Sequence, residues 1–293
     1  MAETTVRYGP SVQATSIHST PTDVSVLNFA LTLEHLETAF YSEGLTKYSD
    51  ADFAAAGFKS DVRGWYQQIL AHEKSHVETI TAVLTQKLGA APVSPCNYSF
   101  PLNDTKSFVT LSAAFETVGA SAYTGALSMI SDKEILTVAG EILSVEGRQS
   151  AWINSAPLGH NPWNGRFEIP LTMNEVFTIA STFIKSCPSS NPTLPVKPFP
   201  QLGLPGNARP GQNITLSFDQ AGRTGDLFLV LFTADGPKSV SIAADKSVVL
   251  PSGDLRGTIF AIVSTEKDFA DDSTTVAGPA LLMIPFNENL TVV

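Results

Sequence analysis

Cysteine is nearly absent, with Cys96 and Cys187 the two in 293 residues. Neither sits in a C-x-x-C cluster, which argues against a thiolate zinc site. Basic clusters are missing as well. With 18 Lys and Arg against 28 Asp and Glu the formal net charge is −10, and a surface of that sign repels phosphate backbones, so nucleic acid is excluded as a partner. No apolar run approaches the length of a bilayer crossing, and the opening "MAETTVRYGPSVQ" has no hydrophobic stretch of the kind a secretory leader carries. As numbered, the chain reads as soluble, with no membrane span. Apolar residues at 43% are enough for a real core, and the length suits one large domain or two smaller ones.

The two cysteines leave the compartment open. One disulfide between them fits an oxidising environment, and two unpaired buried thiols in the cytoplasm fit the composition too. Four N-x-S/T sequons, at Asn97, Asn103, Asn213 and Asn289, favour a secreted or cell-wall glycoprotein whose leader lies outside this numbering. A cytoplasmic protein is the alternative.

Composition changes sharply once. Between 186 and 211, in "SCPSSNPTLPVKPFPQLGLPGNARPG", seven prolines fall within 23 residues, so this stretch cannot be helical and reads as an extended, semi-rigid connector. Upstream, helical periodicity runs over roughly 23–45, 61–88, 105–130, 133–155 and 172–186. Downstream, "NITLSFD", "LFLVLFTA", "SVSIAA", "SVVLP", "TIFAIVST" and "ALLMIPF" are short, β-branched and aromatic, with Gly, Pro and Asp between them. The expected organisation is a helical domain at 20–188, a proline-rich linker at 189–211 and an all-β, Ig-like sandwich at 212–293.

The helices carry an internal repeat. Glu34 is followed seven residues later by Tyr41, and Glu116 by Tyr123; between them come Glu73-x-x-His76 and, last, Glu146-x-x-Gln149. Spacings of three and seven keep each pair on one helix face. "DVSVLNFALTLEHLETAFY" is apolar on most sides, so its acids are expected inside, where an unpaired charge costs several kcal/mol. Four helices then aim four carboxylates, one imidazole and one amide into one core. Clustered carboxylates repel, and metal ions resolve the repulsion: one Glu from each of two helices with Glu-x-x-His from each of the other two is the di-metal arrangement of a ferritin-like four-helix bundle. Here Gln149 replaces the second histidine. Carboxylate with imidazole suits iron or manganese over calcium or structural zinc.

The expected ligands are Glu34, Glu73, His76, Glu116, Glu146 and Gln149, holding two ions, the one beside Gln149 more weakly. Glu37 is the alternative to Glu34, which the offset to tyrosine favours. Glu37, Tyr41, Tyr123 and Arg148 are expected behind the ligands, Arg148 pairing with a ligand carboxylate or with Glu141; His35 and His72 are assigned to the surface.

The segments "DVSVLNFALTLEHLETAFY", "CNYSFP", "FETVGASAYTGAL", "EILSVEGRQSAW" and "FIKSCP" together resemble the ferritin-like domain of fungal stress-response and sexual-development proteins, related to plant desiccation-related proteins. The resemblance covers about 20–188 and leaves the β region outside. It implies a bundle with an extra helix, secretion, a Cys96–Cys187 disulfide, and a site at Glu34, Glu73, His76, Glu116 and Glu146. "VEGRQSAW" departs from the family's E-x-R-H at Gln149, an amide being a poorer ligand than imidazole.

Two functions follow as expectations. The first is a metal-dependent oxidoreductase acting on oxygen, peroxide or a small-molecule substrate. The second is a structural or interaction protein with a degenerate metal site, whose β domain binds cell-wall polysaccharide or another copy of the chain. A ferritin storage shell would have to accommodate the whole 212–293 domain, which argues against it.

Overall fold

Thr22 starts the first helix: its Oγ1 accepts from the Ser25 amide at 3.3 Å, satisfying one of the donors a helix N-terminus leaves free. The computed structural model describes residues 21–293 apart from Ala221, Thr224 and Asp254; the expected domain start at residue 20 lies outside them. Helix α1 (Asp23–Lys47) is buried nearly all round, as its two adjoining apolar stripes require. The short α2 (Asp50–Ala55) is closed by a Ser49/Asp52 capping box. Helix α3 (Val62–Ala82) runs on into a π-helical turn at Val83–Lys87. After strand β1 (Asn97–Tyr98) come α4 (Thr105–Ala126), capped by Asp104, and α5 (Lys133–Ser155), capped by Asp132. The helices pack as two hairpins, α1 on α3 and α4 on α5. An aromatic cluster fills one end, where Phe40 lies 4.6 Å from Phe115 and 5.0 Å from Phe108 between ring centroids. Gly44 permits this: a Cβ there would lie 2.2 Å from the Phe108 ring.

The last expected helix, 172–186, is corrected. Helix α6 (Met173–Ala180) stops after two turns, and Ile184–Ser186 is strand β2, paired antiparallel with β1. Pairing outweighs helical periodicity because Phe183 packs on Phe115 and Phe100 and its carbonyl accepts the Ser99 amide. The turn thereby brings Cys187 to Cys96, and the two are joined in a disulfide.

The C-terminal region contains β3 (Leu202–Gly203), β4 (Asn213–Thr215), β5 (Ser217–Phe218), β6 (Phe228–Thr233), β7 (Gly236–Ser241), β8 (Ser247–Val249), β9 (Gly257–Ser264) and β10 (Thr275–Ile284). They form small antiparallel sheets: one of four strands, ordered β10-β9-β6-β7, and the ribbons β3-β5 and β4-β8. Alternation along the central strands assigns their two faces. Val230, Phe232, Phe260 and Ile262 join the helical core, whereas Leu229, Leu231, Ile259, Ala261 and Val263 join a second core with the ribbons. Helices thus cover one face of the sheet and ribbons the other, and every residue of β9 is buried. The proline-rich stretch is pinned between the two regions. The Lys197 amide donates to Asn174 Oδ1 at 2.7 Å, the Phe199 amide to Thr178 Oγ1 at 2.9 Å, and the Gly278 amide to the Pro200 carbonyl at 2.9 Å.

Glu175, in the capping box of α6, gives this junction a pH dependence. Its Oε2 accepts the Thr172 amide at 2.7 Å, and Oε1 is buried without a hydrogen-bond partner. Burial, with Asp272 nearby, pushes its carboxyl up to about 8. A raised folded-state value means that the contribution is fully present below about pH 4.5 and is lost as pH rises through about 8. Glu175→Gln keeps a capping acceptor without the charge. The variant should match the parent near pH 5 and gain at most about 5 kcal/mol over it above pH 8, read from urea midpoints at the two pH values.

Candidate metal centre

The repeat places its polar residues by helical arithmetic. On α1, Glu34, Glu37 and Tyr41 share a face, as do Glu116, Gly119 and Tyr123 on α4; α3 brings Glu73 and His76, and α5 brings Glu146 and Gln149. Because the two E-x6-Y helices face each other, each tyrosine serves the other's acid: Tyr41 donates its hydroxyl to Glu116 Oε1, and Tyr123 donates to Glu34 Oε1. Burial holds both phenols well above their usual range, so they remain donors.

His76 occupies the middle. Its Nδ1 lies 3.0 Å from Glu73 Oε2, 3.2 Å from Glu34 Oε2 and 3.5 Å from Glu146 Oε1. One ligand atom from each of Glu34, Glu73, His76 and Glu146 falls within 4.8 Å of the others, and all four residues are buried. Burial alone would lower the imidazole; hydrogen bonds and charge from Glu34 and Glu73 overturn that and raise it to about 10. Glu34 is pushed up to about 7, chiefly by burial, with His76 and Tyr123 opposing. Glu37, Glu116 and Glu146 are raised well above the usual carboxylate range, first by burial and then by one another and their acidic neighbours. One imidazolium among five carboxyl groups leaves the rest to protons or to cations.

Unpartnered atoms decide whether these residues fit a metal. Both Glu146 oxygens, Glu116 Oε2 and Gln149 Oε1 are buried without a hydrogen-bond partner, and each such orphan costs about 1–3 kcal/mol. All are oxygen acceptors, and together with the His76 imidazole they make up the kind of donor set that iron or manganese takes. The residues fit.

The remaining expected residues fall as follows. Glu116 lines the cluster with one oxygen held by Tyr41. Glu37 stands beside it rather than replacing Glu34, across a notch at Gly119, where a Cβ would lie 2.5 Å from Glu146 Oε2 and 3.2 Å from Glu37 Oε1. Gln149 donates Nε2 to Glu73 Oε1 at 2.9 Å. Arg148 is exposed and makes no ion pair among the described residues; two positions from Glu146 on a helix is the opposite side. His35 is half-buried, its Nε2 3.2 Å from the Val93 carbonyl. His72 is exposed but bonded: its Nδ1 lies 3.3 Å from Gln149 Nε2. Sequence reasoning missed that contact and the Gly119 notch. The available signals were the four-residue step from His72 to His76 and the glycine one turn after Glu116.

Residues 22–158 match the family model described as a ferritin-like domain. The helical region fits a ferritin-like domain. A curated fungal relative, protein rds1 of Schizosaccharomyces pombe, is 26% identical over 182 residues, which is 62% of this chain and 44% of that protein. The chain therefore spans less than half of that relative's length. The match upholds the resemblance to ferritin-like fungal stress proteins. Among solved structures, a conserved hypothetical protein of Mycobacterium tuberculosis matches at TM-score 0.39 and 16% identity, covering 48% of this chain and 94% of that one, too distant to bear on the site. Among the described residues no helix is long and apolar enough to cross a membrane.

Proposed function

We propose that the ferritin-like domain is a di-metal centre, of iron or manganese, in a secreted or cell-wall oxidoreductase that acts on oxygen, peroxide or a small-molecule substrate. One observation carries this reading: four buried ligand atoms lie within 4.8 Å of one another, in a fold whose relatives place metals between these helices. Glu34, Glu73, His76 and Glu146 would hold the ions, with Glu116 and Gln149 completing the second position. Iron or manganese, when bound, supplies redox chemistry toward oxygen or peroxide. Tyr41 and Tyr123 fix the carboxylates of Glu116 and Glu34 by donating to them, and burial of Glu73, Glu116 and Glu146 at 0% exposure keeps bulk water out. Secretion is supported by the Cys96–Cys187 disulfide and by the exposure of all four sequon asparagines, Asn97, Asn103, Asn213 and Asn289.

A second reading rests on Gln149, whose amide already bonds Glu73 as a purely structural side chain would. The centre is then a relic, and the strand-rich region, read as an Ig-like sandwich with one face given to the bundle, carries binding to polysaccharide or to another copy. Elemental analysis of protein purified without added metal, then incubated with iron and manganese, separates the two. Retained metal with anomalous scattering at the cluster, and oxygen or peroxide turnover by the loaded protein, supports the first. Natively folded protein that takes up no metal sinks it.

A further inference from the structure

Gln149 stands where the repeat calls for a second imidazole, and the contacts of its amide are unequal at the two ends. Nε2 carries two hydrogens; one goes to Glu73 Oε1 at 2.9 Å, and His72 Nδ1, which accepts when the ring proton is on Nε2, lies 3.3 Å away to take the other. Oε1 is buried and has no hydrogen-bond partner. Turned round, the amide would set its oxygen against the Glu73 carboxylate oxygen, lone pair against lone pair, and would leave the His72 nitrogen facing another acceptor. The carboxylate contact therefore sets the orientation, the Nδ1-accepting tautomer of His72 holds it, and in it the amide oxygen is the free end. Amide oxygen is a ligand atom for a divalent ion; amide nitrogen is not.

We propose that His72 is a positioning residue for the metal centre: from α3 it holds the Gln149 amide of α5 with Oε1 turned inward, as a neutral oxygen ligand for the second iron or manganese ion. The unpartnered oxygens of Glu146, one turn away on the same helix, are the carboxylate half of that position. The proposal rests on the di-metal reading above and deepens it, since it explains how a chain lacking the second histidine keeps a second site. His72 supplies that site with orientation instead of coordination. Partners behind metal ligands are worth about 10–100-fold in affinity. His72 is exposed, so its removal disturbs the wiring of the amide and not the core.

The test is a titration of Mn²⁺ into the metal-free full chain, with free Mn²⁺ read by electron paramagnetic resonance and folding checked by thermal melts. The wild type should bind two ions with unequal affinity. His72→Ala should weaken the second by about 10–100-fold and leave the first in place. His72→Asn, whose side-chain oxygen reaches about as far as Nδ1, should restore most of the loss. In a Gln149→Glu background either oxygen can face the ion, so His72→Ala should there change nothing, a coupling that a merely structural role would not produce. Equal second-site affinity in wild type and His72→Ala overturns the proposal, as does a wild type that binds one ion only, and both leave the metal centre standing. A wild type that binds no ion overturns the centre itself.

Discussion

Replacing His76 by leucine should destabilise the metal-free protein by about 3–5 kcal/mol, the usual cost of removing one partner from a buried charge pair. Among the described residues His76 is the basic side chain in contact with this cluster, lying within 3.5 Å of Glu34, Glu73 and Glu146. Leucine fills a similar volume but leaves Glu34, Glu73 and Glu146 without a counter-charge, with Tyr123 still donating to Glu34 and Gln149 to Glu73, so the loss is electrostatic rather than a cavity effect. The same change removes the one nitrogen ligand of the four-residue cluster. Metal affinity should fall by at least the 10–100-fold that loss of an outer partner costs. Urea unfolding without metal and calorimetric titration with manganese measure the two halves separately. A variant as stable as the parent, with undiminished affinity, would show that the carboxylates are balanced by something other than this imidazole.

Opening the disulfide should cost about as much by another route. Cys96 and Cys187 are 91 residues apart, and closing a loop of that length removes chain entropy from the unfolded state equivalent to about 4–5 kcal/mol. The bond ties β1, after α3, to β2, after α6, so the loop encloses α4, α5 and α6. The Cys96→Ser, Cys187→Ser double variant should therefore melt markedly lower, and the loss should be unchanged by metal, because neither cysteine is among the cluster residues. Differential scanning calorimetry with and without manganese checks both statements. A double variant within about 1 kcal/mol of the parent would contradict the entropy account.

Long helices were legible because each repeats its apolar period over many turns. Thr22, Asp104 and Asp132 add caps to α1, α4 and α5, whereas α3 has no side-chain cap. Short elements state themselves once or not at all. The six residues of α2 give too few turns to show a period, and β2 lies within a stretch whose apolar spacing also fits a helix until Ser99 and Phe100 are brought against it. Likewise β6 and β9, apolar on both faces, announced burial without saying what covered them. That one face belongs to the helices is a fact of packing between residues far apart in the chain.

At the centre the division runs between spacing and partnership. Sequence by itself determined that Glu34, Glu73, His76, Glu116, Glu146 and Gln149 occupy inward faces, because intervals of three and seven are dictated by the pitch of one helix and hold whatever surrounds it. Only the tertiary structure decided how the oxygens are shared. The crossing of Tyr41 to Glu116 and Tyr123 to Glu34, the notch at Gly119 and the contact of His72 with Gln149 all depend on the distance and rotation between two helices. Those quantities are set by the packing of apolar side chains elsewhere in the core, and no local interval encodes them.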